Sequence, residues 1–308
     1  MDFFGLHFPV FGVTSGGRWP RALAPILTLG LAVGLGGCAE GYFTPDRRKA
    51  EVLSHQAGWD YRQIAAPPFT VAAAVAPSRA GAGVLTVYIE GDGLAFLGPH
   101  TVSADPTPND PVALRMALAH PGGAAAYLAR PCQYLMAGPC RPAYWTSHRY
   151  AAEIVAGMSQ AVDELKRGVG AERVILVGYS GGGAVAVLVA SRRKDVAGVV
   201  TVAANLDLAV WTQAKGLSAL TGSLDPAGVA AEVAAIPQVH FIGGKDDTVP
   251  AEVGQSYLRR AGIGSRARLV TLADFGHACC WAEEWRRLAG DAALSAIADW
   301  PVAGRSGG

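Results

Sequence analysis

The chain has no run of lysines and arginines longer than three residues. Its 26 basic and 25 acidic residues leave a formal charge of +1 over 308 residues. Nothing in it would track a phosphate backbone, so a nucleic-acid partner has no electrostatic support. Of the two basic triplets, Arg47-Arg48-Lys49 and Arg192-Arg193-Lys194, the second ends a helical stretch, where cations complement the negative end of the helix dipole. The cysteines lack the paired C-x2-C spacing of zinc frameworks, so no metal is expected, nor any other cofactor. No internal repeat or low-complexity linker interrupts residues 69–300, which argues for one domain there. Long apolar runs are scarce too: Ala22 to Gly37 holds about 16 residues, too short to span a bilayer comfortably.

What is present at the N-terminus is a positive flank, Arg18 and Arg21, then that apolar stretch, then Leu35-Gly36-Gly37-Cys38. This is the pattern of an export signal. The Leu-Gly-Gly-Cys ending resembles the bacterial lipobox, and the resemblance implies that Cys38 becomes the acylated first residue of the mature protein. Ala39 in place of an aspartate resembles outer-membrane sorting. The alternative is a plain secretory signal in which Cys38 is incidental. The expected order is therefore a signal peptide at 1–37, a tether and lead-in at 38–68, a catalytic domain at 69–300 and a tail at 301–308. The expected location is the periplasm-facing cell envelope, with membrane contact through a lipid on Cys38. In an oxidising compartment the four remaining cysteines favour disulfides. Cys132 and Cys140 close a short loop containing Gly138 and Pro139 and are the expected pair; adjacent Cys279 and Cys280 are poorly placed to bridge each other by ordinary geometry.

Within the domain, apolar runs alternate with helix-length segments. Strands are expected at 84–90, 124–129, 173–178, 196–203, 239–243 and 267–272. Helices are expected at 111–120, 148–167, after Ser180, in short pieces between 207 and 235, at 252–261 and from Trp281. The segment 148–167 places Ile154, Val155, Met158, Ala161, Val162 and Leu165 on one side, as an amphipathic helix requires. Strands alternating with helices of this length imply an α/β fold whose mostly parallel sheet is covered on both faces.

Ligands of such sheets bind beyond the carboxyl ends of the strands. There the chain carries Gly178-Tyr179-Ser180-Gly181-Gly182 between an apolar strand and a small-residue helix. This is G-x-S-x-G in the setting of a nucleophile elbow, where a tight turn needs small neighbours. Later strand ends carry Gly243-Gly244-Lys245-Asp246-Asp247-Thr248-Val249-Pro250 and Asp274-Phe275-Gly276-His277, and an earlier one Glu90-Gly91-Asp92-Gly93. With its order Ser, Asp, His, the chain resembles the α/β-hydrolase superfamily over roughly residues 69–300. Within it, the strings at 89–93, 129–134 and 144–149 resemble a poorly characterised group of exported bacterial serine hydrolases. The resemblance implies Ser180 as nucleophile, His277 as base and Asp246 as the acid that orients it. Asp247, Asp274 and Asp207 are rival acids; His100, His120 and His148 are rival bases.

An oxyanion needs two preorganised donors. Gly181 N–H is one by the motif's geometry, and Asp92 is the choice for the second, in a segment where many relatives carry His-Gly and this chain has Glu90. Tyr179, Arg130 and Trp145 are the candidate substrate contacts, with Tyr144 and Arg149 nearby. The region 207–236, with Trp211, is too short for a large lipase-type cap. The expected activity is hydrolysis of a carboxylic ester or related acyl bond in a small-molecule substrate. The competing readings are a non-catalytic envelope protein and a peptidase or polymer depolymerase.

Overall fold

The computed structural model describes residues 45–77 and 81–301. The signal segment 1–37, Cys38 and residues 302–308 lie outside the described residues. An eight-stranded sheet organises the described chain. Its strands are β1 (Asp60–Ala66), β2 (Phe69–Val75), β3 (Val84–Ile89), β6 (Ala124–Leu128), β7 (Arg173–Tyr179), β8 (Val196–Val202), β9 (Gln238–Gly243) and β10 (Ala267–Leu272). A small hairpin, β4 (Phe96–Gly98) with β5 (Thr101–Val102), stands apart from it. The spatial order is β1-β2-β6-β3-β7-β8-β9-β10. β2 pairs antiparallel with both β1 and β6, and every other pairing is parallel.

Among the described residues seven α-helices flank the sheet: α1 (Lys49–Gln56), α2 (Val112–Leu118), α3 (Ala152–Val169), α4 (Gly181–Ala190), α5 (Leu208–Lys215), α6 (Ala251–Ala261) and α7 (Trp285–Leu288). Successive strand residues point to opposite faces, and the core divides accordingly. Leu85, Val87 and Ile89 of β3 join Ile154, Met158 and Leu165 of α3 and the apolar length of α4. Tyr88 faces the other way, with Leu114 and Met116 of α2 and with Trp281 and Trp285. β7, buried from Val174 onward, and the wholly buried α4 lie at the centre, which explains why neither shows an amphipathic period.

The expected strands and helices from 84 to 272 are present within a few residues of their anticipated ends. Two expectations need correcting. The segment before Phe69, expected as a tether, supplies α1 and β1, the latter pairing along its whole length with β2. The last helix begins at Trp285 rather than Trp281 and spans one turn.

Candidate active site

β7 passes to α4 through Ser180, whose backbone sits at φ 50°, ψ −123°. Residues other than glycine seldom occupy that region, and such outliers gather at functional sites. The Ser180 N–H donates to the Val202 carbonyl at 2.8 Å, tying the turn to β8. At Gly182 a Cβ would come within 2.2 Å of the Ile89 carbonyl oxygen. Only glycine lets α4 leave the sheet this close to β3.

The loops after β9 and β10 bring the other two groups to the serine. Ser180 Oγ lies 3.0 Å from His277 Nε2, and His277 Nδ1 lies 2.9 Å from Asp246 Oδ2. Asp246 Oδ1 accepts the N–H groups of Thr248 and Val249 at 2.9 and 2.8 Å. One carboxylate oxygen thus fixes its own loop while the other faces the imidazole. The His277 carbonyl accepts both the Tyr179 hydroxyl and the Trp281 indole N–H. Those bonds hold the histidine loop against the strand that carries the serine.

Opposite Ser180, the end of β3 forms the turn Glu90-Gly91-Asp92-Gly93. Glu90 is buried, and its Oε1 accepts the N–H of Gly91 at 3.0 Å and that of Ala113 at 3.2 Å. The Gly91 N–H is thereby engaged, which leaves Asp92 as the nearest residue of this turn with an N–H to offer. A cavity of about 440 Å³ opens over Ser180 and His277. Its wall is mainly apolar, with Leu94, Phe96, Val112, Tyr179 and Trp211, and Arg149 is its one Lys or Arg among the described residues.

No family model matches the chain, and no curated protein matches it in sequence. Solved structures do match in shape. A puromycin hydrolase superposes with a TM-score of 0.55 at 16% identity, over 80% of this chain but 40% of its own. An esterase from Pyrococcus furiosus gives 0.53 at 14% identity over 78% and 92% of the two chains. A serine hydrolase without a lid from Xanthomonas campestris gives 0.51 at 16% identity over 79% and 94%. This is the α/β-hydrolase fold. The chain spans well under half the length of the puromycin hydrolase and nearly all of the other two.

In α/β-hydrolase terms, Ser180, Asp246 and His277 stand at the expected strand ends and meet there. The rivals lie elsewhere. Asp247 is exposed, and exposed Asp274 pairs with Lys245. Asp207 is buried, and although burial pushes its carboxyl up, hydrogen bonds from Ser256, the Val210 N–H and Arg260 hold it below the ordinary aspartate range. It caps α5 and braces α6 instead. Burial lowers His120 to about 4, and its ring nitrogen bonds the Tyr88 hydroxyl. His148 bonds Ser147.

Of the expected substrate contacts, Tyr179 lines the cavity and the other two do not. Trp145 is buried with its indole N–H on the Ser103 carbonyl, and Arg130 lies behind Asp92. Arg149 and Trp211 occupy that wall, together with Asn205 and Phe96. An arginine beside an aromatic pair reads as a recognition surface when the buried carboxylate that takes it comes from a distant loop.

The Cys132–Cys140 disulfide is formed, with Cα atoms 5.7 Å apart. Cys279 and Cys280 are also joined, contrary to expectation. The peptide between them is cis and their Cα atoms are 3.1 Å apart, closer than in the ordinary disulfide geometry on which the expectation rested.

Proposed function

We propose that the protein is a serine hydrolase that cleaves a carboxylic ester or related acyl bond through Ser180, His277 and Asp246. The observation that carries this reading is the unbroken relay from Ser180 Oγ through both ring nitrogens of His277 to Asp246. Serine is a poor nucleophile with its proton on. In the proposed reaction His277 Nε2 takes that proton as Oγ attacks the carbonyl carbon, and Asp246 stabilises the imidazolium through Nδ1–H. The carbonyl oxygen becomes an oxyanion facing the N–H groups of Gly181 and Asp92. His277 then gives its proton to the leaving alcohol as the C–O bond breaks, which leaves an acyl-serine. Water attacks this ester with His277 again as base, and the acid departs with Ser180 restored. The mainly apolar cavity suits a substrate whose acyl or alcohol part is apolar or aromatic.

A fluorophosphonate should label the wild-type protein at Ser180 and should not label Ser180→Ala. On p-nitrophenyl esters of graded chain length the variant should lose about a thousandfold or more in kcat/KM. Equal rates for the two proteins would sink the mechanism.

The N-terminal pattern supports a second proposal, that the enzyme works in the cell envelope, anchored by a lipid on Cys38. Globomycin should block maturation in the native host, and mass spectrometry of the mature N-terminus should find an acylated Cys38. An unmodified N-terminus at another residue rejects the anchor.

A further inference from the structure

The strings at 89–93, 129–134 and 144–149 contribute nothing to the proton relay, yet they converge on one group, the Asp92 carboxylate. Arg149 Nη1 donates to Asp92 Oδ2 at 2.7 Å, and Arg130 Nη1 lies 3.3 Å from Oδ1. The Tyr150 hydroxyl donates to the same carboxylate, at 3.2 Å from Oδ2. The two guanidinium side chains are 5% and 8% exposed, and that of Asp92 is 13% exposed. Burial pushes the Asp92 carboxyl up, but Arg149 and Arg130 outweigh it and hold it below the usual range. The arginines are tied down in turn. Arg130 Nη2 donates to the Arg149 carbonyl, and Arg149 Nε donates to the Thr146 carbonyl at 2.8 Å. Gln133 completes the set: its amide donates to the Gly91 carbonyl at 2.8 Å and its oxygen accepts the Arg130 N–H at 3.0 Å. The segment that presents Arg130 and Gln133 is itself over-determined, with Cys132 and Tyr134 at φ 71° and 63° and a disulfide at Cys132.

The clamped carboxylate lies directly against the serine turn. A Cβ placed on Gly181 would come within 2.1 Å of Asp92 Oδ1. A bare carboxylate in that place would oppose negative charge developing on the oxyanion beside it. Two arginines and one aspartate instead leave the buried cluster with net positive charge.

We infer that Arg130, Arg149 and Tyr150 are positioning residues that act through the Asp92 carboxylate: they fix the Asp92 N–H for the oxyanion and cancel the charge that would repel it. This inference rests on the serine-hydrolase reading. It makes the cluster matter to the transition state and little to ground-state binding, which is the signature of catalytic preorganisation.

The test uses Arg130→Met, Arg130→Lys and Asp92→Asn, with Ser180→Ala as reference. Arg130 does not line the cavity, so its removal takes away no substrate contact. Each variant is assayed for p-nitrophenyl butyrate hydrolysis and for inhibition by an aryl trifluoromethyl ketone, whose serine adduct carries an oxyanion. Circular dichroism and thermal unfolding establish that the variant compared is folded. Arg130→Met should lose about 10- to 100-fold in kcat with KM within about threefold of wild type. Its ketone affinity should fall in proportion to kcat/KM, and Arg130→Lys should lie between it and wild type. If Asp92→Asn fails to fold, the two Arg130 variants still decide the matter. Folded Arg130 variants whose ketone affinity stays within about twofold of wild type overturn the inference, as does a loss confined to KM. Failure of the hydrolase reading looks different, because Ser180→Ala would then match wild type and the ketone would not inhibit.

Discussion

Glu90 stands where many relatives of the resembled superfamily carry histidine, and the structure gives that departure a physical consequence. Burial raises its carboxyl to about 7, against the opposing pull of the Gly91 and Ala113 N–H groups and of the Tyr127 hydroxyl. The folded chain therefore holds this proton more tightly than the unfolded chain, whose carboxyl titrates near its ordinary 4.5. The contribution to stability is complete below the unfolded value and is lost as pH rises through the folded one. Between about pH 5 and pH 8 the loss amounts to about 2 to 3 kcal/mol. Glu90→Gln keeps the oxygen that accepts both N–H groups and cannot ionise. Urea unfolding at the two pH values should show the variant losing about 2 to 3 kcal/mol less than wild type on going from pH 5 to pH 8. Parallel pH dependence in the two proteins refutes the assignment. The expected strand at 84–90 ends on Glu90, but nothing local foretold its raised carboxyl, whose main cause is burial by the surrounding fold. Asp246 was easier to single out, because its stretch to Val249 and Pro250 resembles the superfamily's acid loop, and the N–H groups it accepts come from that same stretch.

Among the elements, those that flank Ser180 were the easiest to read. β7 and α4 are buried apolar runs joined by a glycine-rich turn, so their type follows from the local sequence alone. The loop from Ala129 to Cys140 was harder. Its disulfide followed from loop length and compartment, but its purpose did not, because Arg130 and Gln133 find their partners in residues about 40 positions earlier. A buried ion cluster assembled from three distant segments leaves no local period in the sequence. It does leave residue types that are expensive to bury, and the recurrence of arginine in strings 129–134 and 144–149 was the available signal. The β4–β5 hairpin carried less: its paired strand residues are exposed and few, and it was not anticipated, although Phe96 forms part of the cavity wall.

At the scale of the whole molecule, the division between tether and domain moves. The expected domain starts at residue 69, and the mixed segment before it, in which Asp60-Tyr61-Arg62-Gln63 is polar, is expected as tether and lead-in. In the sheet that polarity belongs to an edge strand, where exposed charged residues discourage pairing with another chain. β1 still buries Ile64 and Ala66, and α3 runs so close over it that a Cβ on Gly157 would lie 2.7 Å from the Ala66 carbonyl oxygen. Removing residues through Pro68 would expose β2, whose sequence Phe69-Thr70-Val71-Ala72-Ala73-Ala74-Val75 has no charge with which to guard a free edge. A flat apolar edge of this kind invites intermolecular pairing. A chain beginning at Pro45 should therefore purify as a folded species that hydrolyses p-nitrophenyl esters, and one beginning at Phe69 should aggregate or unfold at a markedly lower temperature. Size-exclusion chromatography with thermal unfolding checks this, and equal solubility and melting of the two chains would return residues 45–68 to the role of a tether.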